Sequence, residues 1–180
     1  LVSLGRMSKI KIINWPVRLF ILIMRGTPLM LQLLFVFYGL KPLFGIQLDR
    51  VIAAQVAFAL NYAAYFAEIY RGGIESIPDG QYEAAKVLGF NKKQTFFRII
   101  LPQVVKRIIP PMGNEFINLV KDTALARTIA VYEVLWAGEK FVKNPGIIWP
   151  LFYTAVFYLL FSGILTLLFG WIEKKMDYFK

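Results

Sequence analysis

From Asn144 to Ile172 the chain carries no charged residue over 29 consecutive positions. A helix needs only about 20 apolar residues to cross a hydrocarbon core of roughly 30 Å. The stretch predicts a transmembrane helix, with a buried helix of a soluble domain as the weaker reading. Trp149, Tyr153 and Trp171 lie toward its two ends, where amphipathic rings favour the headgroup level. Val51–Ile69 predicts a second span, uncharged until Glu68 and rich in alanine, which lets helices pack closely in a bilayer. Val17–Leu40 predicts a third, interrupted by Arg18 and Arg25. A fourth, roughly Ile108–Ala130, is left undecided by hydropathy because Pro110, Pro111, Glu115, Lys121, Asp122 and Arg127 interrupt it. The expected fold class is all-α integral membrane, a single domain over 1–180 with about four spans.

The chain has 21 Lys and Arg against 11 Asp and Glu. In a chain this apolar a basic excess marks cytoplasmic loops more often than nucleic acid. If Ile108–Ala130 and the last span both cross, one side holds Arg6, Lys9, Lys11, Arg18, the seven bases from Arg71 to Arg107, and Lys174, Lys175 and Lys180. The other side holds only Lys41, Arg50, Lys140 and Lys143. That bias places the loop and the C-terminus in the cytoplasm and needs no nucleic-acid partner. With no cysteine and no histidine in the chain, disulfides, thiol nucleophiles, Cys/His zinc sites and histidine acid–base chemistry are excluded. The chain opens at Leu1 without an initiator methionine and is read as N-terminally truncated, with Leu1–Leu4 the end of an earlier span.

The segment 71–102 is too polar to span and too well patterned to be disordered. Asp79 is expected to cap a short helix from about Gly80 to Leu88, with Gly89 as its left-handed stop. Asn91 with Gln94 three residues on resembles a capping box, and Phe96, Phe97, Ile99, Ile100 and Leu101 give the next helix an apolar face until Pro102. Two short helices meeting at a glycine make a compact knob. Small Ala84 and Ala85 on its surface let another backbone approach, and Glu83 offers a charge to a partner.

Glu83-Ala84-Ala85, three residues, Gly89, nine residues, Ile99, one residue and Leu101-Pro102 resemble the EAA motif of ABC-importer permeases. Arg25-Gly26-Thr27-Pro28, Tyr65 to Ile74, Gly113-Asn114-Glu115-Phe116 and Lys121-Asp122-Thr123 resemble the polar amino acid branch, the histidine/glutamine type. The resemblance implies a type I importer transmembrane domain with five spans, of which the first is essentially missing here. It implies a permease subunit of an ATP-driven amino acid importer in a bacterial cytoplasmic membrane, paired with an identical or similar permease. Two ABC ATPase subunits would bind the ATP and Mg, and an extracytoplasmic amino-acid-binding protein would deliver the substrate. The ATPase-coupling residues it assigns are Glu83, Ala84, Ala85, Gly89, Ile99, Leu101 and Pro102. The chain itself has no Gly-x-x-x-x-Gly-Lys-Ser/Thr phosphate loop and is expected to hold no cofactor and to catalyse nothing. Arg127 departs from the relatives' small or polar residues, and its role stays open.

Asn61, Tyr65 and Glu68 recur at helical spacing on one face, and Glu115, Asn118 and Asp122 on another. Charge at mid-bilayer costs about 2.5–3.5 kcal/mol on insertion scales, so both stripes must face the bundle interior or water. They are candidate substrate-pathway residues, the carboxylates for an ammonium and Lys121, or backbone amides near a broken Pro110-Pro111 stretch, for a carboxylate. Glu68, near the cytoplasmic end, suits a gate or exit site. Internal Lys121–Asp122 or Glu68–Arg71 pairs are the structural alternative. Arg25-Gly26-Thr27-Pro28 reads first as a bend whose freed backbone groups Thr27 or Arg25 satisfies, with a direct substrate contact as the minority reading. An ion-coupled secondary transporter or channel is the rival function. An intramembrane enzyme built on Glu115 and Asp122 is weaker, because an i, i+7 pair stands about 10 Å apart along the axis.

Overall fold

The computed structural model describes residues 1–143 and 146–176, and among them the chain is helix and turn with no strand. Asn144 and Lys180, assigned above to the last span and the cytoplasmic tail, lie outside the described residues. Helix α1 (Val2–Arg6) is followed by α2 (Lys11–Gly26), six residues ahead of the expected start at Val17. The Asn14 amide closes the turn between them by donating to the Arg6 carbonyl and, at 3.2 Å, to the Ser8 carbonyl.

The third span is not straight. Pro28 bars the residue before it from the helical region, so Thr27 is extended at φ −118°, ψ 148°, and helix α3 (Leu29–Phe44) leaves at 109° to α2. After a turn, Asp49 caps α4 (Arg50–Glu75) by accepting from Val51 N at 2.9 Å. The buried residues of α4 are Ala53, Ala54, Ala57, Asn61, Tyr62, Ala64, Ala67 and Gly73, most of them small. Small residues there let neighbouring helices approach to backbone contact, the main source of helix association where lipid tails remove any hydrophobic gain.

Helix α5 (Asp79–Val87) starts from Pro78, not from a side-chain cap. Asp79 lies in its first turn, where a carboxylate complements the helix dipole. Gly89 stops it at φ +77°, as expected. The Asn91–Gln94 capping box is present, with bonds of 2.9 and 3.0 Å. The helix it opens does not end at Pro102, however. It widens into a π-helical turn over Thr95–Ile100, with Leu101 N donating to Phe96 O five residues back, and continues as α6 (Leu101–Asp122). The register shift comes just before the residue that has no N–H to give. Pro110 and Pro111 also lie inside α6, so the expected break there is absent. Two successive prolines remove donors rather than offering them, so that stretch presents no amides to a ligand.

A 3₁₀ turn (Thr123–Ile129) ends at Ala130, left-handed at φ 59°. Helix α7 (Val134–Lys143), unforeseen in the sequence, leads toward α8 (Trp149–Lys175). Arg127 pairs with Glu139 and so ties the 3₁₀ turn to α7. By length and apolarity α4 and α8 can each cross a membrane, and the α2–α3 pair, bent by 109°, passes the same test only when taken together, as a broken span or a re-entrant loop. The fourth expected span, α6, packs on both α4 and α8.

The tightest contact is between α4 and α6. A Cβ on Gly73 would stand 2.3 Å from Ile108 Cγ2, and a β-branched side chain in a helix has one strongly preferred χ1. Gly73→Ala is therefore expected to cost about 1–3 kcal/mol by overpacking, read as a lower unfolding temperature in detergent. Adding Ile108→Ala should restore part of the loss, and a Gly73→Ala protein as stable as wild type would contradict this packing.

Candidate functional site

The α2–α3 corner, the middle of α4 and the C-terminal half of α6 enclose a cleft of about 340 Å³. Five of the seven predicted pathway residues line it: Asn61, Tyr65, Glu115, Asn118 and Asp122. Thr27, Pro28, Leu29 and Tyr62 complete the wall. Tyr62 donates its hydroxyl to Asp122 Oδ2 at 2.8 Å, bridging α4 and α6. Sequence reading passed over Tyr62 because its apolar ring fits a span pattern, and only the fold reveals the hydroxyl's partner.

Lys121 and Glu68 lie elsewhere. Lys121 is exposed and has no ion pair among the described residues, so the alternative Lys121–Asp122 pair does not form. Successive helical residues point about 100° apart, which turns Lys121 away from the face that Asp122 shares with Glu115. No lysine or arginine lines this cleft. Glu68 lies in a neighbouring cleft, where Arg71 holds Oε2 at 3.0 and 2.5 Å and Arg6 Nε is 3.3 Å from Oε1. The alternative Glu68–Arg71 pair is therefore real, and Arg71 also bonds Glu75.

The cleft's corner is held by two buried amides. Thr27 Oγ1 donates to Ile23 O at 2.7 Å, the satisfaction expected of that residue. Gln32 Nε2 reaches back to Met24 O at 2.9 Å and to Thr27 Oγ1 at 2.8 Å. Asn61 Nδ2 donates to the same Met24 O at 3.1 Å and to Gln32 Oε1 at 3.0 Å. Asn61, only 4% exposed, thus spends its donors on the corner. Gln32 had one readable sign: it is the single polar side chain between Pro28 and Tyr38.

The motif loop divides into a surface and a root. Glu83, Ala84 and Gly89 are exposed, whereas Ala85 is 1% exposed and turned inward, so only one of the two alanines is on the surface. Val87 and Leu88, 86% and 72% exposed, stand beside Gly89 with the exposed Phe97. Sequence reading passed over Val87 and took Leu88 only as the end of a helix, and Phe97, expected on the apolar face of the next helix, is 63% exposed. Ile99 packs on a buried cluster of Ile77, Ile100, Val104 and Ile108, with Leu101 and Pro102 half-buried beside it. Gln103 Nε2 donates to Gln81 Oε1 at 3.2 Å, and Arg107 donates to the Ser76 carbonyl, fastening α5 and its entry turn to α6.

The family model of the binding-protein-dependent transport system inner membrane component matches residues 2–178. The L-cystine transport system permease protein of Bacillus subtilis (strain 168) is 40% identical over 177 residues, covering 97% of this chain and 75% of the relative. An octopine transport system permease protein of Rhizobium radiobacter is 36% identical, with 95% and 74% covered. A crystal structure of an amino acid ABC transporter with histidines superposes with a TM-score of 0.88 at 32% identity, covering 97% of this chain and 81% of that one. The inward-facing MetNI methionine ABC transporter, at 16% identity and a TM-score of 0.77 over 98% and 82% of the two chains, shares the fold.

Removing the corner's donors should expose their structural share. Asn61→Leu is expected to lower stability by about 1–3 kcal/mol, the cost of stranding buried acceptors. Asn118→Ala, whose side chain has no hydrogen bond among the described residues, should stay within about 0.5 kcal/mol of wild type. Thermal unfolding of the two variants in detergent compares them directly, and equal effects would remove Asn61 from the corner.

Proposed function

Because the chain belongs to the family of binding-protein-dependent transport system inner membrane components, we propose that its cleft is a stage of an amino acid pathway and its motif loop the seat of an ATPase. The chain is a permease subunit of an ATP-driven ABC importer for amino acids. In the finer reading it holds no nucleotide itself and works with a second, identical or similar permease. Two ATPase subunits dock beneath, and an extracytoplasmic binding protein delivers the amino acid above. The loop and the C-terminus face the cytoplasm, in agreement with the basic residues gathered on that side.

The observation that carries this reading is the mechanical continuity between loop and cleft. The exposed Glu83, Ala84, Val87, Leu88 and Gly89 form a small, partly apolar knob of the kind that fits a partner's groove. Ile77, Ile100, Val104 and Ile108, with Ile69 and Ile74 of α4 packed against them, root it in an apolar contact between α4 and α6. Those two helices carry Tyr62, Tyr65, Glu115 and Asp122 into the cleft. A displacement of the knob by a closing ATPase pair is thereby passed to the cleft walls as a rigid movement. Glu115 and Asp122 suit the substrate's ammonium, with Asn118 and Tyr65 as further polar contacts.

In membranes holding the full complex, Glu83→Lys and Gly89→Val are expected to cut ATP-driven amino acid uptake by tenfold or more while the permease stays in the membrane. Gly89→Val adds the penalty of a left-handed β-branched residue, about 1–2 kcal/mol, and so distorts the knob. Uptake at the wild-type level per ATP hydrolysed in both variants would sink the docking assignment.

A further inference from the structure

A second, larger cleft of about 780 Å³ adjoins the first, with Arg6, Trp15, Arg18, Arg25, Tyr65 and Glu68 in its lining. Its polarity is opposite. The first cleft holds two carboxylates and no cation, whereas this one holds three guanidinium groups and one carboxylate. That carboxylate, Glu68, is already claimed by Arg6 and Arg71. Arg18 and Arg25 have no ion pair among the described residues. Tyr65 lines both clefts, and the Arg25 guanidinium lies 5.2 Å from the centre of its ring.

We propose that this basic cleft receives the carboxylate of the transported amino acid, with Arg25 as its first contact and Arg18 as the next toward the cytoplasm. The inference rests on the amino acid pathway proposed above and supplies what that pathway lacks. An α-amino acid carries an ammonium and a carboxylate. The cleft of Glu115 and Asp122 suits the first and repels the second. Lys121, the cation expected to meet the carboxylate, is turned away. Arg25, in the last turn of α2, stands in the basic cleft beside Tyr65, the residue that lines both. A guanidinium presents a planar fork that matches a carboxylate, and that of Arg25 lies over the Tyr65 ring, 5.2 Å from its centre. An amino acid lying across Tyr65 has its ammonium on the acidic side and its carboxylate on the basic side. A phospholipid headgroup is the other anion such a cleft can hold, but a lipid site has no need of Tyr65 or of continuity with the acidic cleft.

The test is direct binding to the detergent-purified permease–ATPase complex without binding protein. Radiolabelled arginine, glutamine and cystine are each displaced by the unlabelled amino acid or by the amine that lacks its α-carboxylate, agmatine for arginine. Wild type is expected to favour the amino acid by about tenfold or more, the share of a charge-assisted hydrogen bond. Arg25→Gln should bring that preference close to one, Arg25→Lys should keep part of it, and Arg18→Gln should reduce it less. A purely structural role for Arg25 would weaken amino acid and amine alike, and an unchanged preference in Arg25→Gln and Arg18→Gln would overturn the proposal. So would an unchanged preference with a thermal stability that comes to depend on added anionic phospholipid, which would assign the cleft to a lipid headgroup. ATP-driven uptake by the wild-type complex in liposomes, with its binding protein, checks the underlying pathway separately. Uptake with no loss of preference in the variants refutes this inference alone, whereas no uptake of any amino acid refutes the pathway itself.

Discussion

The corner at Thr27-Pro28 is the constraint on which the cleft depends. A bilayer core offers no water to a backbone group, so a helix that breaks inside it must find a partner for every carbonyl it releases. Here Ile23 O takes Thr27 N at 3.1 Å as well as its hydroxyl, and Met24 O takes the side-chain amides of Gln32 and Asn61. Because Asn61 belongs to α4, the repair of a local break is also a contact between distant elements. Helix α4 cannot slide along the corner without stranding buried groups at about 1–3 kcal/mol each. Tyr65 stands one turn beyond Asn61 and is thereby held against Arg25 on one side of the corner and Pro28 on the other.

Helices α4 and α6 are tied at two levels, which decides what can move. Near the loop, Gly73 admits Ile108 and the Ile77 cluster closes around it. Farther along, the Tyr62 hydroxyl holds Asp122. Two helices pinned at both heights behave as one body. Packed interfaces of this kind switch between arrangements and do not deform continuously. If the knob is pushed as proposed, the α4–α6 pair would turn against its neighbours, and the contacts that would have to give way lie at its margins. Among these are the Arg6–Glu68 pair with α1 and the Arg25–Tyr65 stack with α2.

Where composition or a fixed spacing decides the outcome, the sequence was legible. The uncharged run placed α8, alanine spacing placed α4, and Gly89 with the Asn91–Gln94 box located the turns of the loop. Of the two stripes, Asn61, Tyr65, Glu115, Asn118 and Asp122 came together in one cleft, whereas Glu68, read onto the same face as Asn61 and Tyr65, fell in the neighbouring one. Several of the errors share a physical cause, since they concern a proline or a long-range partner. Pro28 broke a span outright, whereas Pro102 was absorbed by a π-helical turn and Pro110-Pro111 by an uninterrupted helix. A proline's local cost is fixed, but whether a helix bears it depends on what packs around it. Gln32 with Asn61, Tyr62 with Asp122 and Arg127 with Glu139 are pairings that no local pattern encodes.

The charges of α6 explain why hydropathy fails on this span. Its 22 residues, at 1.5 Å each about 33 Å long, include Lys106, Arg107, Glu115, Lys121 and Asp122. Counted together they disqualify the helix. Taken by depth they do not, for Lys121 and Asp122 fall in the last turn, and Lys106 and Arg107 lie within the first two turns, where long side chains reach toward the interface. Arg107 in addition spends its charge on the Ser76 carbonyl. Only Glu115 sits deep in the helix, and it lines the cleft rather than facing lipid. The cost of about 2.5–3.5 kcal/mol for a central charge thus applies to one residue, and a polar cleft shared with Asn118 and Tyr65 reduces it further. The group that weakens α6 as a lipid-exposed span is the same group that it contributes to the lining of the cleft.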